Sequence, residues 1–303
     1  MDVNGLKLVN DTLGHEMGDR LLKKVGETLT SVLRSDDIIG RLGGDEFLVL
    51  LPKTNKNQTE AIVERISASL RNTELDPVII SLAMGFSVKA DIDQDIEDVL
   101  KRAESRMYND KLRSGKQMRK GLIENFIRDI NTKYEQEKIH SDKVTEYCIK
   151  TGKAMGFSKK EISVLKTEAI LHDIGKVVIP SNIIMKPAKI SEDEYDLVKK
   201  HSEKGYQILK STDEYAVYAE PVLQHHERWD GKGYPEGLKK EDIHLHSRII
   251  NIADAYEAMT SGRPYKEAVS KEKAISELKK NRGKQFDPEL VNIFIERVLP
   301  NED

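Results

Sequence analysis

Histidine and aspartate residues that suit metal binding are concentrated in the second half of the chain. Of the eight histidines, five lie there beside other ligand-type residues: His140, His172, His201, His225 and His226. Asp173 follows His172 directly, and Asp254 lies further along. Neutral imidazoles and carboxylates are the usual ligands of Fe, Mn and Zn ions, and a carboxylate can bridge two of them. Adjacent histidines on a helix point about 100° apart, so His225 and His226 can share a site only where that helix flanks it.

Packed helices are the elements that would have to position these residues. Beyond Lys116, apolar residues recur at helical spacing in segments that Gly and Pro interrupt, which predicts an all-α region. Before it, helical patterns at residues 19–33 and in TEAIVERISASLRNT alternate with strand patterns. PVIISLAMGFSV predicts a strand, and DDIIGRLGGDEFLVLLP is typical of two strands around a Gly-Gly turn. Such alternation predicts an α+β domain, a sheet covered by helices. The basic stretch SGKQMRKG is the natural boundary, so we predict domains at residues 1–118 and 119–303.

The bulk composition restricts the class of protein. A chain of 303 residues has room for two domains, and 38% hydrophobic with 33% charged residues is typical of a soluble, helix-rich protein. We find no apolar stretch of membrane-spanning length and no signal peptide, and expect a cytoplasmic chain without a membrane partner. The single cysteine, Cys148, excludes an internal disulfide, and we expect a buried thiol. The net charge of -3 favours no nucleic-acid partner.

Two motifs in the helical half carry a family resemblance. The segments HDIGK (172–176) and HHERWDGKGYP (225–235) resemble HD-GYP domains, helical hydrolases of cyclic di-GMP within the HD superfamily. IPSNIIMKP, IADAYEAMTSGRPY and QFDPELV extend the resemblance over essentially the whole half. The resemblance implies a metal-dependent phosphodiesterase that opens cyclic di-GMP to pGpG, to GMP, or to both.

The resemblance also implies which residues bind the metals. The matching positions are His140, His172, Asp173, His201, His225, His226 and Asp254, with Asp173 bridging two ions. Two cations about 3.5–4 Å apart clamp a phosphodiester and lower the pKa of a bridging water to about 7. Lys176 matches the active-site lysine of the family, which would neutralise charge on the phosphate. Fe, Mn and similar divalent ions all fit this ligand set.

The glycine-rich segment WDGKGYP is expected to hold the substrate. Gly231 and Gly233 permit a tight backbone path and Pro235 fixes φ, so the loop can present Tyr234. In the family this tyrosine holds the dinucleotide together with residues that match Arg263 and Lys266. A purely structural turn is the alternative interpretation.

The chain departs from the family at one position. Family members with three metals have a glutamate one helical turn before the first histidine, where this chain has Gln136. Because an amide is a weaker ligand than a carboxylate for a hard cation, we predict two ions. Glu135 and Glu137 are alternative donors, but neighbouring helix positions should face elsewhere. His244 and His246 alternate on what looks like an extended segment, and we expect surface or packing roles for them.

RLGGDEF, with NDTLGHEMGD before it and MYNDK after it, resembles the GGDEF domain of diguanylate cyclases, which condense two GTP molecules. By resemblance, Asp2 and Asp45 would bind Mg²⁺, Glu46 would assist at the reacting hydroxyl, and Lys111 would contact phosphate. Asn10 and Asp19 would read guanine. Arg34 and Asp37 match the inhibitory product-binding RxxD site, for which a surface ion pair is the alternative. GGDEF domains act as dimers, so a homodimer is expected.

The family domain normally has a helix and most of a central strand before the position of Asp2. Losing the middle of a sheet leaves backbone groups unpaired, so we do not expect this chain to synthesise the dinucleotide. Either the true start lies upstream or the domain is degenerate and kept for regulation. Two alternatives to the phosphodiesterase therefore stay open: a bifunctional cyclase and phosphodiesterase, and a module that senses GTP or cyclic di-GMP. Another cyclic dinucleotide as substrate also stays open.

Overall fold

A computed structural model describes residues 1–133, 135–188, 190–261 and 267–301. The chain divides into two compact units, Met1–Asn125 and Phe126–Asp303. The first is α+β and the second is mostly helical, so the predicted fold class is confirmed. Among the described residues, every long helix is too polar to cross a membrane.

The first unit contains a four-stranded antiparallel sheet with the order β2-β3-β1-β4. Its strands are β1 (Asp2–Val3), β2 (Ile38–Gly43), β3 (Glu46–Leu50) and β4 (Leu82–Ala83). Its helices are α1 (Leu6–Leu13), α2 (His15–Val32), α3 (Lys56–Arg71) and the start of α4 (Ile96–Lys133). Apolar residues at helical spacing on α2 and α3, including Leu21, Val25 and Ile66, are buried in one core with Val3. Burial of this apolar face is what stabilises the helices against the sheet.

The hairpin β2–β3 confirms the strands predicted around the Gly-Gly turn. Gly44 has a φ of +54°, a left-handed conformation that glycine adopts without steric cost. A second prediction was wrong, because PVIISLAMGFSV forms only the two-residue strand β4. Its residues Val78, Ile80 and Leu82 are nevertheless buried in the core. The apolar run PVIISLAMGFSV therefore predicted burial correctly, but it did not predict how much of the segment pairs as a strand.

The second unit is built from helices whose buried faces meet in one core. After the end of α4, its helices are α5 (Glu135–Ala154), α6 (Lys159–Leu171), α7 (Ser181–Ile184), α8 (Glu192–Lys210), α9 (Ala219–Gln224), α10 (Leu245–Thr260), α11 (Lys271–Lys280) and α12 (Pro288–Ile293). Val144, Leu165, Ile250, Tyr256 and Phe294 are fully or almost fully buried in this core. Cys148 is buried there too, and burial raises the pKa of its thiol. The helices predicted in this half are confirmed.

Local sequence signals set where two of these helices begin. Ser158 accepts a hydrogen bond from the amide of Glu161, whose side chain accepts from the Ser158 amide, and Ser191 and Glu194 repeat this arrangement. Such capping boxes satisfy amides that have no partner within the helix. α6 then ends at Leu171, immediately before His172, and α8 carries His201.

A glycine brings the turn after Asp173 close to α8. A side chain on Gly175 would place its Cβ 1.9 Å from the backbone oxygen of His201. Only glycine therefore allows the short 3₁₀ turn Ile174–Val178 to pack so closely against this helix. The close packing places Asp173 beside His201.

Candidate metal centre and substrate cavity

Five helices of the second unit bring the predicted metal ligands together. His140 lies on α5, His201 on α8 and Asp254 on α10, while His172 follows α6 and the pair His225–His226 follows α9. Their ligand atoms form two groups, each with mutual distances within 4.8 Å: His201, His225 and His226 in one, and His140, His172 and Asp254 in the other. We call these two groups, with Asp173, the ligand cluster. His225 and His226, which directly follow the end of α9, lie in the same group.

Asp173 lies between the two groups with one carboxylate oxygen toward each. Its Oδ1 is 3.3 Å from Nε2 of His201. Its Oδ2 is 3.1 Å from Nε2 of His172 and 3.8 Å from Nε2 of His140. Nε2 of His140 is also 3.2 Å from Oδ1 of Asp254. A carboxylate in this position has the geometry of a ligand that bridges two cations.

Hydrogen bonds to the backbone fix which ring nitrogen of each histidine faces the cluster. Nδ1 of His172, His201 and His225 lies 2.7, 2.6 and 2.6 Å from the carbonyl oxygens of Ala169, Val198 and Val222. A carbonyl oxygen can only accept, so each Nδ1 carries the hydrogen and each neutral ring has a bare Nε2.

The bare nitrogens then face one another without a hydrogen to share. Nε2 of His201 lies 3.1 Å from Nε2 of His225, and two lone pairs at that distance repel. The buried Nε2 of His172 faces Oδ2 of Asp173 at 3.1 Å, but in the neutral ring it has no hydrogen to donate to that oxygen. A cation accepts these lone pairs, so the donor set fits divalent metal ions.

The electrostatics of the cluster favour the protonation states that ligands require. Burial, with neighbouring histidines, lowers the pKa of His225, and burial lowers the pKa of His226 to about 3. Burial raises the pKa of Asp173, but His172 and Lys176 outweigh it and hold that pKa well below its usual range. The pKa of Asp254 is likewise lowered by His140 against the effect of burial. His225 and His226 are thus neutral, and Asp173 and Asp254 ionised, at neutral pH.

Lys176 lies at the edge of the ligand cluster. Its Nζ is 2.7 Å from Oδ2 of Asp173 and 2.6 Å from Oε2 of Glu137. Gln136 and Glu137 both line the adjoining cavity. The expectation that Glu137 faces elsewhere was therefore wrong, because two successive residues of α5, Gln136 and Glu137, both line the cavity.

The loop that carries Tyr234 is anchored by a buried acid. Glu227 is 2% exposed, and its carboxylate accepts hydrogen bonds from the amides of Glu236, Gly237 and Leu238. A Cβ on Gly233 would lie 2.5 Å from Cα of Glu227, so the loop crosses directly over this residue. The ring of Tyr234 is held 4.9 Å from that of His226. Gly231, with a φ of +75°, allows the turn that starts the loop.

A cavity of about 970 Å³ opens over the cluster. Asp173, Lys176, His201, His226 and Tyr234 are among the residues that line it. Burial raises the pKa of Tyr234, with a contribution from the facing hydroxyl of Tyr195, so the phenol keeps its proton. Arg263 and Lys266, the other predicted substrate contacts, lie outside the described residues.

His244 and His246 lie apart from the ligand cluster. The structure corrects the extended segment expected for them, because α10 begins between the two and His244 caps it. His246 Nδ1 lies 2.5 Å from Oε2 of the buried Glu168.

Sequence reasoning missed three residues near the site, Glu227, Glu257 and Tyr195. Glu257 is 2% exposed and its carboxylate contacts Nδ1 of His140. It follows Asp254 by three residues on α10, a spacing that places both on one helix face and could have indicated it.

In the first unit, the predicted nucleotide residues lie mainly around strands β1 and β3. Asp2 pairs with Glu46 in the sheet, and the amide of Val3 donates to the carbonyl of Asp45. Nζ of Lys111 is 2.5 Å from Oδ2 of Asp2. Oδ1 of Asp2 and Oδ1 of Asn10 are buried without a hydrogen-bond partner among the described residues.

Three further predicted residues of this unit lie near its surface. Asp19 is exposed. Arg34 is exposed, and its amide donates to Oδ2 of Asp37 at 2.9 Å, closing a short loop.

Residues 124–290 match the model of the HD domain, which is more than half of the chain. The chain belongs to the HD domain family. Residues 1–117 match the model of the diguanylate cyclase GGDEF domain, so the predicted resemblances of both halves are confirmed. The ligand cluster lies on helices of the HD domain.

Curated relatives of the HD domain include named phosphodiesterases. The chain is 41% identical to the cyclic di-GMP phosphodiesterase response regulator RpfG of Xanthomonas campestris, over 46% of this chain and 38% of that protein. It is 37% identical to a cyclic di-GMP phosphodiesterase of Thermotoga maritima, over 52% of this chain and 43% of that protein. It is 34% identical to the 3'3'-cGAMP-specific phosphodiesterase 2 of Vibrio cholerae, over 58% and 34% respectively. The matches thus span less than half the length of these relatives.

Proposed function

We propose that the HD domain hydrolyses cyclic di-GMP to the linear dinucleotide pGpG, and on to GMP where the second diester is also cut. The observation that carries this proposal is the position of Asp173, which presents one oxygen to each of two groups of metal-ligand atoms at the edge of a cavity of about 970 Å³. Cavities of about 300–1,000 Å³ are typical of small-molecule sites. The names of the relatives in Xanthomonas and Thermotoga support the choice of substrate.

The residues of the cluster suit two divalent ions, Fe or Mn in particular. Asp173 would contact both ions, His201, His225 and His226 one, and His140, His172 and Asp254 the other. Bound there, two cations would supply hydroxide at neutral pH and offset the charge of the phosphodiester. Gln136 lines the cavity where a carboxylate would favour a third ion. Metal analysis of anaerobically purified protein should find two ions per chain, and three would contradict the assignment.

The chain's own polar groups would orient the phosphate and the leaving group. The Lys176 ammonium lies 2.7 Å from Asp173, where it can donate to a non-bridging phosphate oxygen. The protonated Tyr234 hydroxyl faces the same cavity and can donate as well. In the reaction the oxygen of one water joins phosphorus and one P–O3′ bond breaks. One proton of that water goes to the 3′ oxygen, and the other stays on the new phosphate monoester or leaves to solvent.

Chromatography of products tests the proposal directly. Purified protein loaded with Mn²⁺ or Fe²⁺ should convert cyclic di-GMP to pGpG, and a later GMP peak would identify the second cleavage. An Asp173→Ala variant should form neither. Absence of linear product from the metal-loaded protein would refute the function, and faster cleavage of 3'3'-cGAMP would change the assigned substrate.

A second function is proposed for the first unit, the binding of GTP with Mg²⁺. It is favoured by the unpartnered buried oxygens of Asp2 and Asn10 among the described residues, together with Lys111 at 2.5 Å from Asp2. Oxygen ligands suit Mg²⁺, and a lysine suits phosphate. Calorimetric titration of GTP should detect binding that requires Mg²⁺ and that Asp2→Ala abolishes. Binding that Asp2→Ala leaves unchanged would refute the site.

A further inference from the structure

The cavity over the ligand cluster is lined by apolar as well as polar residues. Six residues from the segment after Pro180 and from α8 form what we call the apolar wall: Ile183, Ile184, Met185, Ile190, Tyr195 and Val198. The cavity is also lined by polar groups: Asp173, His201, His226 and Asp254 of the cluster, with Lys176 and Tyr234. With the metal ions of the proposed function in place, a ligand that fills the whole cavity would combine an anionic part with an apolar part.

Two residues of the apolar wall are exposed although they are large. Met185 is 54% exposed and Tyr195 is 47% exposed. Exposed apolar surface that lines a cavity is typical of a ligand contact.

The apolar wall is also fixed in place. Nζ of Lys186 lies 2.8 and 2.7 Å from the two carboxylate oxygens of Glu194, which ties the segment carrying Met185 to the first turn of α8. The capping box of Ser191 and Glu194 holds that same turn. A surface held in this way loses little conformational freedom when a ligand covers it.

Tyr195 presents an aromatic ring close to the ligand cluster. It lies on α8, the helix that carries His201, and its hydroxyl interacts with that of Tyr234. Nζ of Lys199 lies 5.3 Å from the centre of its ring, which holds one face of the ring by a cation–π contact. Tyr234 in turn lies 4.9 Å from the ring of His226, so Tyr195 is two side chains away from a metal ligand.

We infer that the apolar wall is the binding site for one purine base of the substrate, with Tyr195 as its stacking partner. The inference rests on the proposed function in taking a nucleotide as the ligand. A purine has two apolar faces and is joined through ribose to an anionic phosphate, which matches the apolar and polar residues that line the cavity. Stacking of a base on an aromatic side chain contributes about 1–3 kcal/mol, equivalent to about 5- to 150-fold in affinity.

A pair of ligands that differ only by the base tests this assignment. GMP and ribose 5-phosphate carry the same phosphate and sugar, and only GMP has a purine. Calorimetric titration into the metal-loaded protein should give tighter binding of GMP. In Tyr195→Ala the dissociation constant of GMP should rise at least fivefold while that of ribose 5-phosphate stays constant, and Tyr195→Phe should retain most of the affinity.

The chain contains a matched control on the same helix. Tyr206 on α8 has a lysine four residues later, and Nζ of Lys210 is also 5.3 Å from its ring centre, but Tyr206 does not line the cavity. Tyr206→Ala should leave the affinities for both ligands unchanged. Equal affinities of wild type and Tyr195→Ala for GMP, or equal losses for both ligands, would overturn the base site.

The same samples separate this inference from the proposed function. A protein that hydrolyses cyclic di-GMP but binds GMP without help from Tyr195 retains the function and loses the base site. A protein that binds GMP through Tyr195 but never opens cyclic di-GMP retains the base site and loses the function.

Discussion

Replacing Glu257 by glutamine isolates one contact behind the ligand cluster. The Glu257 carboxylate is 2% exposed and contacts Nδ1 of His140, whose Nε2 faces Asp254 and Asp173. The other histidines with described Nδ1 contacts in the cluster, His172, His201 and His225, use neutral carbonyl oxygens instead. A carboxylate acceptor makes the imidazole a stronger ligand, and an amide of the same shape removes that charge.

The expected loss of metal affinity follows from the charge of the Glu257 carboxylate, which the Gln variant lacks. Loss of such an outer contact typically lowers metal affinity 10- to 100-fold, or by about 1.4–2.7 kcal/mol. The effect should fall on the group of His140, His172 and Asp254, since the Glu257 carboxylate contacts Nδ1 of His140. At a free metal concentration that just saturates the wild type, Glu257→Gln should retain close to one ion per chain instead of two.

Metal content after equilibrium dialysis, measured by mass spectrometry, gives the assay. Glu168→Gln is the matched control, because Glu168 is also 2% exposed and contacts Nδ1 of His246 at 2.5 Å, away from the cluster. The Glu168→Gln change should lower the free energy of unfolding without changing the metal content. Full occupancy in Glu257→Gln, or the same loss in both variants, would refute the reasoning.

Three further outcomes are expected. Glu227→Gln replaces an acceptor of three amides, so KM for cyclic di-GMP should rise with metal content unchanged. In a Tyr234→Ala background the same change should add little, since Glu227 acts through the loop of Tyr234. Lys176→Ala should lower kcat about 10²- to 10³-fold with both ions retained. Because the pKa of His226 falls to about 3 on folding, the unfolded state binds more protons below pH 6.5. The free energy of unfolding of metal-free protein should therefore fall from pH 6.5 toward 3, by up to about 1.4 kcal/mol per pH unit for this group.

Each of these expectations has a contrary result. Additive effects of Glu227→Gln and Tyr234→Ala on KM would show that Glu227 does not act through the loop of Tyr234. An unchanged kcat in Lys176→Ala would exclude a role at the phosphate. Chemical denaturation of metal-free protein that is independent of pH between 6.5 and 4 would mean that the imidazoles are not buried in neutral form.

Several features were predictable from short stretches of sequence, because they depend on neighbours along the chain. Apolar spacing predicted α2, α3 and α8, and the Gly-Gly pair predicted the hairpin β2–β3. The predicted strand at PVIISLAMGFSV was wrong beyond Leu82–Ala83, since pairing depends on which backbone edge lies alongside. The helix start at Leu245 was also missed, because alternating histidines looked like an extended segment.

Residue types alone indicated the donors of the ligand cluster, since imidazoles and carboxylates are limited to a few kinds of chemistry. Only the packing of five helices decided that Asp173 lies between two groups of ligand atoms and that the ring nitrogens turn their bare Nε2 inward. The partner of His140, the anchor under Tyr234 and the apolar wall were likewise decided in three dimensions. They join residues such as His140 and Glu257, which are 117 positions apart. Contacts of that range depend on how whole helices pack, and no local pattern encodes them.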